Sequence, residues 1–349
     1  MSRVLHLVGS PTSAFMDDLS RLYAADCLAH VGGEHEHVVA HVSPDGSWRF
    51  PASLGELDAA LPVPLGEALT RLAALDVDVA LPQMFCIPGM TSYRALLDVL
   101  GIPFVGNTAD VMALGAHKAR ARAVVAVAGV RVPAGEVLAP GERPTLAPPL
   151  VVKPVDADNS HGITLVTDAA DLPAALAAAW AESTHARGGV RGQGGVLVEE
   201  FVPLGREVRC GVVVRDGALV ALPLEEYGLS VDHPVRTAED KIVRADDGTL
   251  GLMAKDTPTV WTVDPADPVT APVHESALAC HTALGCRDYS LFDFRVDPDG
   301  VPWFLEAGLY NSFARQSVIP TMARAAGTEL PELFADAVAA ALARGRGRS

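Results

Sequence analysis

What most limits how this chain folds is an alternation that runs through its first hundred residues. Short apolar runs ("RVLHLV", "HEHVVAHV", "DVDVALP", "IPFVG") are separated by stretches whose apolar residues recur at helical spacing ("AFMDDLSRLYAADCLAHV", "LGEALTRLAAL", "MTSYRALLDVLG"). Strands alternating with amphipathic helices predict a parallel sheet covered on both faces. At 349 residues the chain exceeds one ordinary core, so two or three domains are expected. A helix is expected over about 108–127. The stretch "VPAGEVLAPGERPTLAPPL" then marks an irregular connection between strands and a domain edge, because its five prolines interrupt regular pairing.

Beyond that edge the pattern changes. An alanine-rich helix is expected over 171–186, followed by the glycine-rich turn "RGGVRGQGG". "VLVEEFV", "REVRCGVVV" and "ALVALPLEEY" read as successive strands with hairpin signals such as "RDG". The last third gives the helix "PVHESALACHTALG", a hairpin "YSLFDFRVDPDGVPWFLEAG" turning at Pro298, Asp299 and Gly300, and two closing helices.

Charge narrows the function. A formal net charge of -16 argues against sequence-independent nucleic-acid binding, since phosphates are repelled unless dedicated cations or metal receive them. No apolar run approaches the ~20 residues of a membrane span. The five cysteines are scattered and form no C-x-x-C pair, so a cytoplasmic protein with reduced thiols and no nucleic-acid or membrane partner is expected. Only four of the 27 basic residues are lysine: Lys118, Lys153, Lys241 and Lys255. A compact ammonium suits a point contact to a phosphate oxygen where the planar arginine fork does not. Lys153 ends an apolar run and precedes a small loop. There the backbone N–H groups of Asn159, Ser160, His161 and Gly162, with the Ser160 hydroxyl, suit phosphates, although such loops are more often plain hairpins.

In the late hairpin, alternation puts Leu291, Asp293 and Arg295 on one face, and Glu306 ends the partner strand. Two facing carboxylates repel unless a cation sits between them, and all-oxygen ligands favour Mg²⁺. Asp297 and Asp299, at the tip, read as solvated. Glu199, Glu200 and Glu207 surround a Pro-Leu-Gly turn. A strand leaving its sheet there exposes groups that read an adenine edge, and a nearby carboxylate accepts ribose hydroxyls; surface glutamates flanking a turn fit this segment at least as well. "GEHEH" has no further ligands at zinc spacing. G-x-G-x-x-G, Walker A, G-x-S-x-G and H-E-x-x-H are all absent.

The order of these features resembles the ATP-grasp superfamily, specifically its D-alanine:D-alanine ligase-like branch. "IPFVGNTADVMALGAHKARAR" looks like that family's entry to the central domain, and "LEAGLYNSFARQSVIPTMARAAG" matches its closing segment without a gap. The resemblance implies an α/β ATP-grasp fold: an N-terminal parallel α/β domain (1–117), a small central α+β domain (118–198) and a larger C-terminal α+β domain (199–349). By the same likeness Lys118 and Lys153 hold ATP phosphates, the Asn159 to Gly162 loop closes over them, and Lys241 touches the phosphate region. Glu199, Glu200, Phe201 and Val202 frame the adenine, Glu207 the ribose, and Asp293 with Glu306 binds Mg²⁺. The implied reaction phosphorylates a small carboxylate with ATP and delivers the acyl group to an amine, in a homodimer.

Departures from the family pattern bear on the substrate. The first-site glutamate is Phe15, with Asp17 or Asp18 as the nearest substitutes. The family's His-Gly-x-x-Gly-Glu-Asp-Gly loop is "PQMFCIPGM", and the tyrosine after the third lysine is Ile242. D-Alanine is therefore not expected as first substrate. At the catalytic centre an arginine is Leu291, a metal-binding asparagine is Gly308, and a turn glycine is Ser312. Arg295 or Arg315 is expected to restore the positive charge, and Ser317 to bind the acceptor carboxylate. Ring closure within one molecule, transfer to another nucleophile, and nucleotide binding without turnover are the competing readings.

Overall fold

The computed structural model describes residues 1–157, 161–183, 194–230, 234–236, 243–244, 250–251 and 259–346. Four strands form the first sheet: β1 (Arg3–Gly9), β2 (Glu36–Val42), β3 (Trp48–Arg49) and β4 (Val79–Pro82), in the order β3-β2-β1-β4. β1 runs parallel to both β2 and β4, as the alternation predicts, and only the short edge strand β3 is antiparallel. The connecting helices are α1 (Ala14–His30), α2 (Leu65–Ala74), α3 (Ile87–Met90) and α4 (Ser92–Val99). α1 begins where the Ser13 hydroxyl accepts the Met16 N–H. "IPFVG" makes only an isolated bridge, Phe104 to Ala80. Pro103 has no N–H for a ladder, and Gly106 at φ +93° turns the chain away.

The helix expected over 108–127 is two, α5 (Ala109–Gly115) and α6 (Lys118–Val127). The break lets the Lys118 N–H donate to the Val155 carbonyl at 2.7 Å, which ties the start of α6 to the second sheet. That sheet, β5-β8-β6-β7, is wholly antiparallel and comprises β5 (Gly135–Leu138), β6 (Leu150–Pro154), β7 (Thr164–Val166) and β8 (Val196–Glu200). Leu150, Val152, Val166 and Val198 pack on Ala175 and Ala179 of α7 (Leu172–Glu182), a helix that caps at Ser183 and so ends short of 186.

The third sheet holds β9 (Arg206–Arg215), β10 (Ala218–Ala221) and β11 (Glu225–Tyr227). Proline 223 splits the expected single strand into β10 and β11. β12 (Val243–Arg244) and β13 (Leu250–Gly251) form a separate pair. β14 (Val260–Thr262), β15 (Tyr289–Val296) and β16 (Pro302–Gly308) complete the order β14-β11-β9-β15-β16, with β10 on β9. Beneath it lies α8 (Thr270–Ala283), whose Val273, Ala277 and Cys280 meet Val208, Cys210, Val212, Phe292 and Phe294. Each of these buried side chains contributes about 1.5–3 kcal/mol when large, and a slip of one residue would swap them for the charged alternates. Glu207, Arg209, Gly211, Leu291, Asp293 and Arg295 therefore face the other way, toward the second sheet. α10 (Leu330–Arg346) packs back on the first sheet through Phe334 and Val338, while α9 (Val318–Ala325) meets β9 through Ile319 and Met322. No helix among the described residues is long and apolar enough to cross a membrane.

Candidate active site

Strand register lays the cleft-facing side of the third sheet out in three rows. Tyr227, Glu207 and Arg295 are mutual neighbours across β11, β9 and β15; Glu225, Arg209 and Asp293 form the next row, which Glu306 extends on β16. Gly211, Leu291 and Gly308 make the third. The first two rows are ion-paired. Arg295 Nη2 lies 2.7 Å from Glu207 Oε2, and Arg209 Nε lies 2.7 Å from Asp293 Oδ1. Arg236 enters from a loop and bridges the rows, its Nε donating to Glu207 and its Nη2 to Asp293. Its guanidinium lies 3.9 Å from the Tyr227 ring centroid, a cation–π contact that fixes the plane. β16 carries a bulge after the Glu306–Asp293 pair, so that Leu305 and Glu306 both face the cleft.

The second sheet supplies the opposite wall. Lys153 Nζ on β6 sits 2.5 Å from Glu199 Oε2, and Arg122 Nε on α6 sits 3.0 Å from Glu199 Oε1. Lys118, at the start of α6, donates to the Ala157 carbonyl at 2.5 Å and lies 3.4 Å from Glu306 Oε2. Between the walls is a cavity of about 620 Å³, counting its open mouth. Glu200, Phe201 and Val202 line it where the chain leaves β8. There the Phe201 N–H donates to the Pro149 carbonyl at 3.0 Å, and Arg295 lies 5.3 Å over the Phe201 ring. Burial opposes charge on Arg209, but Asp293, Tyr227 and Glu225 outweigh it and hold its pKa above the ordinary arginine value. Burial likewise opposes Arg236, whose pKa Asp293 and Glu207 nonetheless raise.

The other expected site residues divide. Lys118, Lys153, Glu199 to Val202, Glu207, Asp293, Arg295 and Glu306 converge on this cleft. His161 is exposed and Gly162, at φ +72°, packs against Glu182 of α7. Asn159, Ser160, Lys241 and Ile242 lie outside the described residues. Asp17 is buried and gripped by His41 Nε2 at 2.7 Å, with half-buried Phe15 beside it on α1. Ser312 and Ser317 share a hydroxyl–hydroxyl bond in the loop before α9, held by Gln83 donating to the Ser312 carbonyl at 2.9 Å. The next residue, Phe313, has φ +53°, a conformation rare for a side chain with Cβ. Arg315 is not brought to the cleft: its exposed guanidinium pairs with Asp26 of α1 at 3.2 Å. Arg122, Arg209 and Arg236 were not anticipated from the sequence. Arg122 follows Lys118 by one helical turn and Arg209 alternates with Glu207, so both had a periodic signal; Arg236 had none.

An oxygen-only pair, Asp293 and Glu306, projecting from one strand pair beside two lysines, fits a hard divalent cation that takes its remaining ligands from phosphates. Arg209 and Arg236 are its present counter-charges.

A cleft between two antiparallel sheets, lined by lysines on one side and acids on the other, defines the ATP-grasp class of nucleotide-dependent ligases. Solved structures agree on the fold. VanG D-Ala:D-Ser ligase from Enterococcus faecalis superposes with a TM-score of 0.76 at 20% identity, covering 97% of this chain and 99% of that one. The D-alanine–D-alanine ligase from Coxiella burnetii gives 0.73 at 17%, covering 100% and 97%. Residues 137–339 match the family model described as D-ala D-ala ligase C-terminus. The D-alanine–D-alanine ligase of Mycolicibacterium smegmatis is 30% identical over 370 aligned positions, 94% of this chain and 93% of that protein. This chain belongs to the D-alanine–D-alanine ligase family, ATP-dependent ligases that form a C–N bond.

Proposed function

We propose that the chain joins two small amino acids by amide-bond formation through an acyl phosphate, with D-amino acids of small or apolar side chain, D-alanine among them, as its substrates. The observation that carries this is the convergence of Lys118, Lys153, Glu207 and the Asp293–Glu306 pair on one cleft. In this reading the Glu200 to Val202 strip takes the adenine, Glu207 the ribose hydroxyls, and the two lysines the phosphates. Mg²⁺, held by Asp293 and Glu306, would offset charge on the phosphoryl oxygens.

A carboxylate oxygen of the first substrate attacks the γ-phosphorus, and the bond to the β,γ-bridging oxygen breaks to release ADP. The amine of the second substrate then attacks the acyl carbon, and inorganic phosphate leaves as the nitrogen loses its proton. Holding carboxylate and triphosphate in line supplies much of the rate. Ser317, with Ser312, binds the acceptor carboxylate at the start of α9. At the first-substrate side Tyr23, Phe85 and Tyr310 form an aromatic chain with 5.3 Å ring spacings, in place of a polar lining. Those departures argued against D-alanine, but relatives named for it across nearly the whole chain give that exclusion no support. ADP and phosphate release across a panel of D- and L-amino acids, with mass spectrometry of products, tests the reading. A dipeptide containing a D-residue is expected. ATP consumption without an intermolecular amide, or none with any acid, would refute it.

A further inference from the structure

We infer that Arg209 is a catalytic residue of this ligase, the strand-fixed cation that meets the terminal phosphoryl group of ATP as it is transferred; this rests on the ATP-dependent reading above. The rows of the third sheet act as a ruler. Side chains two residues apart on one strand face are separated by about 6.8 Å, twice the rise of an antiparallel strand. Arg209 stands one such step from Glu207 along β9, and directly across from Asp293. A nucleotide whose ribose reaches Glu207 and whose phosphates run toward Glu306 and Lys118 passes over the second row.

The other described arginines of the floor and the closing loop are committed elsewhere, and the lysines stand on the opposite wall. Arg295 belongs to the first row, where Glu207 Oε2 and the Pro234 and Val202 carbonyls accept from it at 2.7, 2.8 and 3.4 Å. Arg315 is on Asp26, and Lys118 and Lys153 reach the phosphates from the opposite wall. The third row, Gly211, Leu291 and Gly308, carries no charge at all. Among the described residues, Arg209 is thus the cation nearest the uncharged row that rises from the floor itself.

Its pairing suits the task. Arg209 uses Nε on Asp293 Oδ1, while Arg236 takes Oδ2, so no bidentate fork closes its Nη edge against the carboxylate. The side chain keeps 13% of its surface accessible. As the carboxylate oxygen bonds to the γ-phosphorus and the bridging P–O bond breaks, negative charge gathers on the oxygens of the moving group. A guanidinium already oriented there donates N–H bonds without reorganisation.

The test compares wild type with Arg209→Gln, using calorimetric Kd values for AMP, ADP and ATP and ADP release with D-alanine. AMP spans only the first row and the α-phosphate. For Arg209→Gln, kcat is expected to fall about 10²–10³-fold, ATP affinity to weaken, and AMP affinity to stay within about twofold. Added guanidinium chloride should restore part of the turnover of Arg209→Ala, which a purely structural role would not allow. Turnover within about threefold of wild type overturns the inference, as does an equal loss of AMP, ADP and ATP affinity, the mark of a collapsed floor. Should Arg209→Gln not fold, Arg209→Lys keeps the charge on Asp293; it is expected to retain AMP affinity with kcat down at least about tenfold, and wild-type turnover in it overturns the assignment. Wild-type protein that binds no ATP removes the ligase reading itself, and this inference with it.

Discussion

Glu199→Gln gives the sharpest measure of what holds the two walls of the cleft in place. Glu199 is 3% exposed and its oxygens lie 2.5 Å from Lys153 Nζ and 3.0 Å from Arg122 Nε. At an effective dielectric near 20, each contact is worth roughly 4 kcal/mol or more of Coulomb energy, much of it offset by desolvation. The substitution keeps the shape and removes the charge, which strands buried Lys153 and part-buried Arg122 without a counter-ion. Breaking a buried pair in this way costs about 3–5 kcal/mol. Glu67→Gln is the control: its pair with Arg71 has a similar 2.7 Å contact, but the two side chains are 49% and 45% exposed. That exposed pair is worth at most about 0.5 kcal/mol. Urea unfolding followed by tryptophan fluorescence, with Trp180 reporting on the core of the second sheet, separates the two. Glu199→Gln should lower the unfolding midpoint strongly and weaken ATP binding, because Lys153 loses its anchor. A destabilisation below about 1 kcal/mol, or one no larger than the control's, would show that the buried carboxylate does not bind the walls.

Acid sensitivity should follow from two buried histidines. Burial lowers His6 to about 4, opposed by its bond to Gln83 and reinforced by His37, and burial lowers His281 to about 4 against a bond from Cys286 and the charge of Asp288. Both stay neutral in the fold while the unfolded chain takes up protons below about 6.5, so their contribution is full above that pH and is lost as pH falls toward 4. Between pH 7.5 and 5 each removes about 2 kcal/mol, and urea midpoints that do not change over that range would contradict it. At Gly106, φ is +93° and a Cβ would meet Tyr289 Oη at 2.3 Å. Gly106→Ala should therefore cost at least about 1–3 kcal/mol from backbone strain alone, measured as a fall in Tm; an unchanged Tm would refute the close approach.

The parts of the site that sequence exposed are those with periodicity. Asp293 and Glu306 stood out because "YSLFDFRVDPDGVPWFLEAG" puts them on two strands around a turn, and β15 and β16 do pair them, through a bulge at Leu305 that alternation does not announce. Lys153 stood out against an arginine-rich background. The parallel first sheet followed from apolar runs long enough to read, whereas the two-residue strand β3 and the strand β5, inside the proline-rich connection, offered no such run. Partners were harder to see. Family likeness sets Glu199 at the adenine edge, but its carboxylate turns to Lys153 and Arg122, contacts that exist only once β8, β6 and α6 meet. Arg236 bridges Glu207 and Asp293 from a loop, and loops carry no period from which a direction can be inferred.

Among the cations of this cleft, those on loops and those on strands differ in a way that bears on catalysis. Arg236 reaches the floor from a loop, so its position depends on the conformation of that loop. Arg209, Arg295 and Lys153 rise from strands, so their positions are set by ladder register and by the apolar side chains packed beneath. For Arg209 and Arg295 that underside is Val208, Cys210, Phe292 and Phe294, all fully buried on α8. Electrostatic stabilisation of a transition state requires charges that do not reorganise as the reaction proceeds. A guanidinium held in register by a packed sheet meets that condition, and one delivered by a loop meets it only after the loop has settled. The apolar core under β9 and β15, which touches no substrate, is therefore what makes the second row suitable for phosphoryl transfer.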